Sequence, residues 1–205
     1  MRNTNLHGSG ATATVDFYGG HKLPDLVAKL RVDQGWGSAQ LMGTLHQNYG
    51  NSSIPDSEIG WDVGAGVTFN APMLAPGDTV SFQVAYSKGA MRYVHENAAL
   101  SDMIPALSSN VNPSNDWGVG GGITHHWTPT LSSAVTGNYS YMESDILGAD
   151  FEVKQWGAQG NLVWFPVAGF LMGVELEYEG LNWSSNTPFG SEDNMVDVFH
   201  AQRTF

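Results

Sequence analysis

Three glutamates occupy alternate positions in "VWFPVAGFLMGVELEYEGLNW", Val163 to Trp183: Glu175, Glu177 and Glu179 take turns with Val174, Leu176 and Tyr178. In an extended strand successive side chains point to opposite faces. The carboxylates therefore share one face at spacings of roughly 6.5–7 Å, and the apolar residues share the other. Such a row either sets a negative field along a pore wall and favours cations, or is a solvated face of an acidic protein. An enzymatic acid and base pair is a poor match, since nothing else converges on these residues. Lys29, Arg31 and Asp33 alternate likewise ahead of Trp36. They are read either as opposing charges that give a lumen a transverse field or as local ion pairs.

His125 and His126 invite a metal reading, but adjacent strand residues face opposite ways and no cysteine supplies a further ligand. An ordinary strand-end pair beside Trp127 is expected, with neither metal nor cofactor. "GVGGGIT", Gly118 to Thr124, lacks the Gly-Lys-Ser/Thr of a phosphate loop and opens no helix, so its glycines suit a bending strand or open lumen space. No Gly-x-Ser-x-Gly elbow marks a nucleophile.

The elements that must position these residues are strands. Trp61, Val63, Ala65, Val67 and Phe69 alternate with Asp62, Gly64, Gly66 and Thr68. Val80, Phe82, Val84 and Tyr86 alternate with Ser81, Gln83, Ala85 and Ser87. The same period of two runs through Leu131 to Tyr141 and Gln155 to Trp164. It is weaker over Ala11 to Gly19, Asp25 to Trp36, Ser38 to Tyr49, Asp116 to Trp127 and Met195 to Phe205. Short links near Trp36 to Ser38, Ala71 to Gly77, Thr128 to Pro129 and Pro166 to Ala168 alternate with longer segments. Those longer segments are Gly50 to Glu58, Gly89 to Asn115, Glu143 to Asp150 and Ser184 to Asn194. This is the rhythm of an antiparallel up-and-down transmembrane β-barrel, with tight periplasmic turns and longer outward loops. A helix is expected near Ser101 in the longest loop.

Composition points the same way. Only 14% of the 205 residues are charged, against about 25% in soluble domains, and the formal charge of −12 argues against a nucleic-acid partner. Polar-face positions favour Gly, Ser, Thr, Asn and Gln, as suits a lumen wall, and aromatics gather near strand ends, where headgroups sit. A soluble sandwich that presents its long loops to a glycan or protein partner shares the alternation and is the competing reading. An autotransporter barrel, which needs a plug helix, is a third. The chain carries no run of about 18 apolar residues and reads as a single domain over residues 1–205.

"LPDLVAKLRVDQGWGSAQLMGTLHQNY", Leu23 to Tyr49, resembles the porins of alphaproteobacterial outer membranes, as do "GWDVGAGVTFNAPMLAPGDTVSFQVAYSKGA" and the closing "AQRTF". The resemblance implies a homotrimer of water-filled barrels of about sixteen strands, embedded in outer-membrane lipid and passing small hydrophilic solutes and ions. It also implies that Phe205 is read by the barrel-assembly machinery. About ten strands are countable, so by resemblance the chain is the C-terminal portion of a porin. Roughly the first six strands would then be lacking, together with the loop that constricts the pore. The expected pore-lining residues are Lys29, Arg31, Asp33, Gln40, Thr44, Asp62, Thr68, Gln83, Thr136, Asn138, Gln155, Gln159, Asn161, Glu175, Glu177 and Glu179.

Overall fold

The computed structural model describes residues 23–49, 57–94, 103–105, 111–146, 149–184 and 190–204. Its strands in chain order begin with β1 (Leu26–Gln34), β2 (Gly37–Asn48), β3 (Glu58–Asn70) and β4 (Thr79–Lys88). Two short strands, β5 (Met103–Pro105) and β6 (Val111–Pro113), lie in the long connection that follows. The rest are β7 (Asn115–Thr128), β8 (Leu131–Ile146), β9 (Ala149–Val167), β10 (Phe170–Trp183) and β11 (Glu192–Arg203). All but β5 and β6 form one nine-stranded antiparallel sheet in which sequence neighbours are spatial neighbours. Among the described residues the sheet is not closed: β1 and β11 each have one partner in it. The tenth expected strand, Ala11 to Gly19, and Phe205 lie outside the described residues.

The period of two is what makes these strands. Register carries one apolar face across the whole sheet, as in Leu30↔Leu41, Leu41↔Ala65, Ala65↔Val84 and Val84↔Val119. That face is uncovered: Leu41, Phe82 and Leu176 are each more than half exposed. A soluble domain of this size would bury a sizeable core. Here the fully buried apolar cluster among the described residues is Met91, Met142 and Val153. A second sheet layer, as a sandwich requires, is absent among the described residues.

Turns at one end are tight. Gly169 adopts φ +75°, the left-handed region a side chain disfavours, and its carbonyl accepts the Thr204 N–H at 2.8 Å. Gly37, at φ +139°, passes so close to β3 that a Cβ would sit 1.9 Å from the Thr68 carbonyl oxygen. The link before β4 is clamped by buried Asp78. Its Oδ2 lies 2.6 Å from His125 Nδ1, and its Oδ1 accepts the His126 N–H at 2.8 Å. Burial pushes this carboxyl up, but hydrogen bonds from His125 and His126 and attraction to His125 outweigh it and hold the group below the usual carboxylate range.

Two expectations about the loops are corrected. Glu143 to Asp150 is not a loop of its full length, because the ladder continues through Glu143↔Glu152, Ser144↔Phe151, Asp145↔Asp150 and Ile146↔Ala149. Polar residues extend a hairpin as readily as apolar ones once it stands in water. The helix near Ser101 is replaced at Met103–Pro105 by a strand paired with Val111–Pro113. Pro105 lacks the N–H a helix needs and biases Ile104 toward extended backbone. Among the described residues of this connection the helical turn is earlier, a 3₁₀ turn at Met91–Tyr93.

Candidate functional site

The register brings every expected pore-lining residue onto the face opposite the apolar one. One unbroken cross-strand row runs Arg31, Gln40, Gly66, Gln83, Gly120, Asn138, Gly157, Glu179, Asn194. The row beside it, toward the tight turns, runs Asp33, Ser38, Thr68, Ser81, Gly122, Thr136, Gln159, Glu177. Asn161 faces Glu175, Gln155 faces Ser140, and Lys29 faces Met42. Thr44 and Asp62 stand together nearer the long connection.

Neighbours within these rows bond to one another. Thr68 and Ser81 hydroxyls lie 2.9 Å apart, Thr136 Oγ1 donates to Gln159 Oε1 at 3.3 Å, and Asn194 Nδ2 donates to Glu179 Oε1 at 3.3 Å. Arg31 and Asp33 form the local pair, Nη2 to Oδ1 at 2.8 Å. Both side chains are exposed, so the pair adds little stability. The basic end of the rows lies on β1 and the acidic end on β10. Because the sheet curls, residues from near both ends meet around one cavity of about 270 Å³: Gln40 and Met42 from β2, Glu177 and Glu179 from β10. The glycines of "GVGGGIT" alternate between the faces, and Gly118, Gly120 and Gly122 leave the inner face of β7 bare.

The described start of the long connection, Met91 to Val94, does not face outward as expected. Met91 is fully buried against inner-face Met142 and Val153, with Leu181 and Trp183 packed beside them. Tyr93 and Val94 line the cavity, and Val94 Cγ1 sits where a Cβ on Gly118 would be only 3.0 Å away. The Tyr93 hydroxyl donates to Asp25, which also holds His46 Nδ1 at 2.7 Å. The connection is thus seated on β8 to β10 at one point and tied to β1 and β2 at another. Sequence reading missed Met91, Tyr93, Asp25 and His46. An apolar Met and Tyr inside a polar connection are the signal that was there.

The outer face has its own order. Trp61 packs at a tilt against Tyr86 at 5.5 Å, Trp117 against Tyr139 at 5.5 Å, and Trp156 stands edge-on to Tyr178 at 5.1 Å, forming a belt near the long-loop end. Trp36 on Phe69, with Trp127 and Trp164, marks the turn end. From Trp117 to Trp127 is roughly 33 Å of strand, or about 25 Å of height at a barrel tilt of 35–45°, the height of a membrane barrel's apolar band. Charged residues on this face of β8 and β9 come beyond the belt: Lys154 pairs with Glu152 at 3.3 Å.

The histidine expectation is corrected in its geometry. His125 does stand edge-on to Trp127 at 4.4 Å, yet both imidazoles converge on Asp78, with Nδ1 atoms at 2.6 and 3.4 Å. The strand is irregular here, with a register shift between His126 and Thr128, so strict alternation does not hold. Among the described residues, groups of three or more His, Cys, Asp or Glu able to hold a metal are absent.

A family model described as "Porin subfamily" matches residues 3–202. The crystal structure of the outer membrane channel DcaP of Acinetobacter baumannii superposes with a TM-score of 0.72 at 20% identity, covering 91% of this chain and 53% of that one. The chain thus spans about half the length of that structure, and the likeness shows the fold. No curated protein matches.

Proposed function

We propose, from the premise that the chain belongs to the porin subfamily, that it forms the wall of a passive diffusion channel in a bacterial outer membrane. One observation carries the reading: a single curled sheet leaves its entire apolar face uncovered while its polar residues gather on the face that encloses a cavity. Lipid is the solvent that suits the first face and water the second, since spanning backbone must satisfy its polar groups internally and strands do so only side by side. The transported class is small hydrophilic solutes and ions, without catalysis or cofactor. The net charge of −12 and the glutamate row give cations the advantage. Met91, Tyr93 and Val94 narrow the passage from the long-loop side.

The edges of β1 and β11 that meet no partner among the described residues are to be satisfied by further strands or by another chain, because open edges do not survive in hydrocarbon. Strands of a longer porin, homotrimer formation and reading of Phe205 by the assembly machinery belong to the same proposal. Chain refolded in detergent and added to planar bilayers is expected to give stepwise, ohmic conductance. A monomer soluble in plain buffer that never inserts would return the soluble binding module to the front.

A further inference from the structure

One cross-strand row nearer the long connection differs from the lumen rows: Thr44, Asp62, Ser87, Asp116, Met142, Val153, Trp183. Met91 covers its apolar half. The other half is polar and equally enclosed, with Thr44 5%, Asp62 4%, Ser87 0% and Asp116 0% exposed. The Ser87 and Ser114 hydroxyls both donate to Asp116 Oδ2, at 3.0 and 2.9 Å. Their protons are thereby spent on one carboxylate. The two oxygens of the other, Asp62, are buried and meet no hydrogen-bond donor or ion-pair partner among the described residues. Lys88, one residue along from Ser87, cannot help, since it is in register with Trp61 on the apolar face.

We propose that Asp62, with Asp116 and the hydroxyl oxygens of Thr44 and Ser87, holds a hard divalent cation, calcium foremost, at the root of the connection between β4 and β7. A carboxylate removed from water without a partner is among the costliest arrangements a fold can hold, and a cation or a proton relieves it. The donor set favours the cation. Every liganding atom in the row is oxygen, and calcium takes six to eight oxygens from carboxylates, hydroxyls, carbonyls and water in a flexible shell. Asp62 and Asp116 are separated by one intervening strand, roughly 10 Å between Cα atoms, which two short side chains leaning inward span through one ion. The nearby Asn48 amide nitrogen is committed to the Gly89 carbonyl at 2.7 Å, which holds the connection against β2. An ion here would fasten β3, β4, β7 and Ser114 of the connection together, and so fix where the inward-folded segment leaves the wall.

The test titrates calcium alone into chelator-stripped protein refolded in detergent, followed by calorimetry and by Tm from far-UV circular dichroism. Wild type is expected to bind at a single tight site with a rise in Tm. Asp62→Asn should lose at least tenfold in affinity, with a calcium-free Tm no lower than wild type, because the amide removes a buried charge. The combined variant E175Q, E177Q, E179Q should retain the site, separating it from loose binding in the lumen. Wild type that shows neither saturable binding nor a Tm shift would overturn the proposal. An Asp62→Asn variant that binds as wild type does would overturn it equally.

Discussion

Val84→Arg is expected to cost about 2–4 kcal/mol of folding stability in a bilayer, whereas the same change at its chain neighbour Gln83 should cost under about 1 kcal/mol. Val84 stands mid-strand on β4, half exposed, in register with Ala65 and Val119 on the apolar face. Gln83 stands between Gly66 and Gly120 on the other. A guanidinium at Val84 must leave water or thin the membrane around itself. At Gln83 it meets solvent, with two glycines to give it room. Urea unfolding of each variant in lipid vesicles reads the difference. Equal costs at the two positions would mean that both faces see the same solvent, and the two-solvent reading of the sheet would fail.

Replacing Glu175, Glu177 and Glu179 together by glutamine is expected to lower the cation-over-anion permeability ratio roughly three- to tenfold, the scale on which a focused local field alters ion concentration. The three carboxylates occupy consecutive inner-face positions opposite Asn161, Gln159 and Gly157, so their fields add along the axis of passage. Glutamine keeps the size and removes the charge. Conductance should therefore fall less than selectivity. Reversal potentials under a salt gradient give the ratio directly. A preference unmoved by the triple change would place the field elsewhere, at Asp62 and Asp116 near the inward-folded segment or at Glu192 of β11.

Strand positions were legible because each strand has one apolar and one polar side, and the alternation from Trp61 to Phe69 or Val80 to Ser87 needs no knowledge of the partner strand. Face assignment followed from it, and the resemblance fixed which face meets lipid. The inward path of the connection after β4 was not legible. Met91 finds its place against Met142 and Val153, which are distant in sequence and lie on a face otherwise read as polar. Inner-face Leu181 and Trp183 break the polar pattern for the same reason, as seats for the Met91 cluster rather than lumen wall. The histidine pair shows the limit of periodicity at strand ends, where a register shift let both rings turn toward Asp78. In β11, Met195, Val196, Val198 and Phe199 make both faces apolar in part, so its alternation is weak, and register with β10 is what assigns them.

The chain contains no cysteine, so single cysteines can be placed along β10 without background. Val174→Cys, Glu175→Cys, Leu176→Cys and Glu177→Cys, each in protein folded into vesicles, are probed with a charged, membrane-impermeant maleimide and with lipid-borne quenchers of an attached fluorophore. The expected result is strict alternation: positions 175 and 177 react with the aqueous reagent, and positions 174 and 176 resist it and are quenched by lipid. Uniform reaction at all four, or quenching without alternation, would contradict a β-sheet wall with lipid on one side and a water-filled lumen on the other.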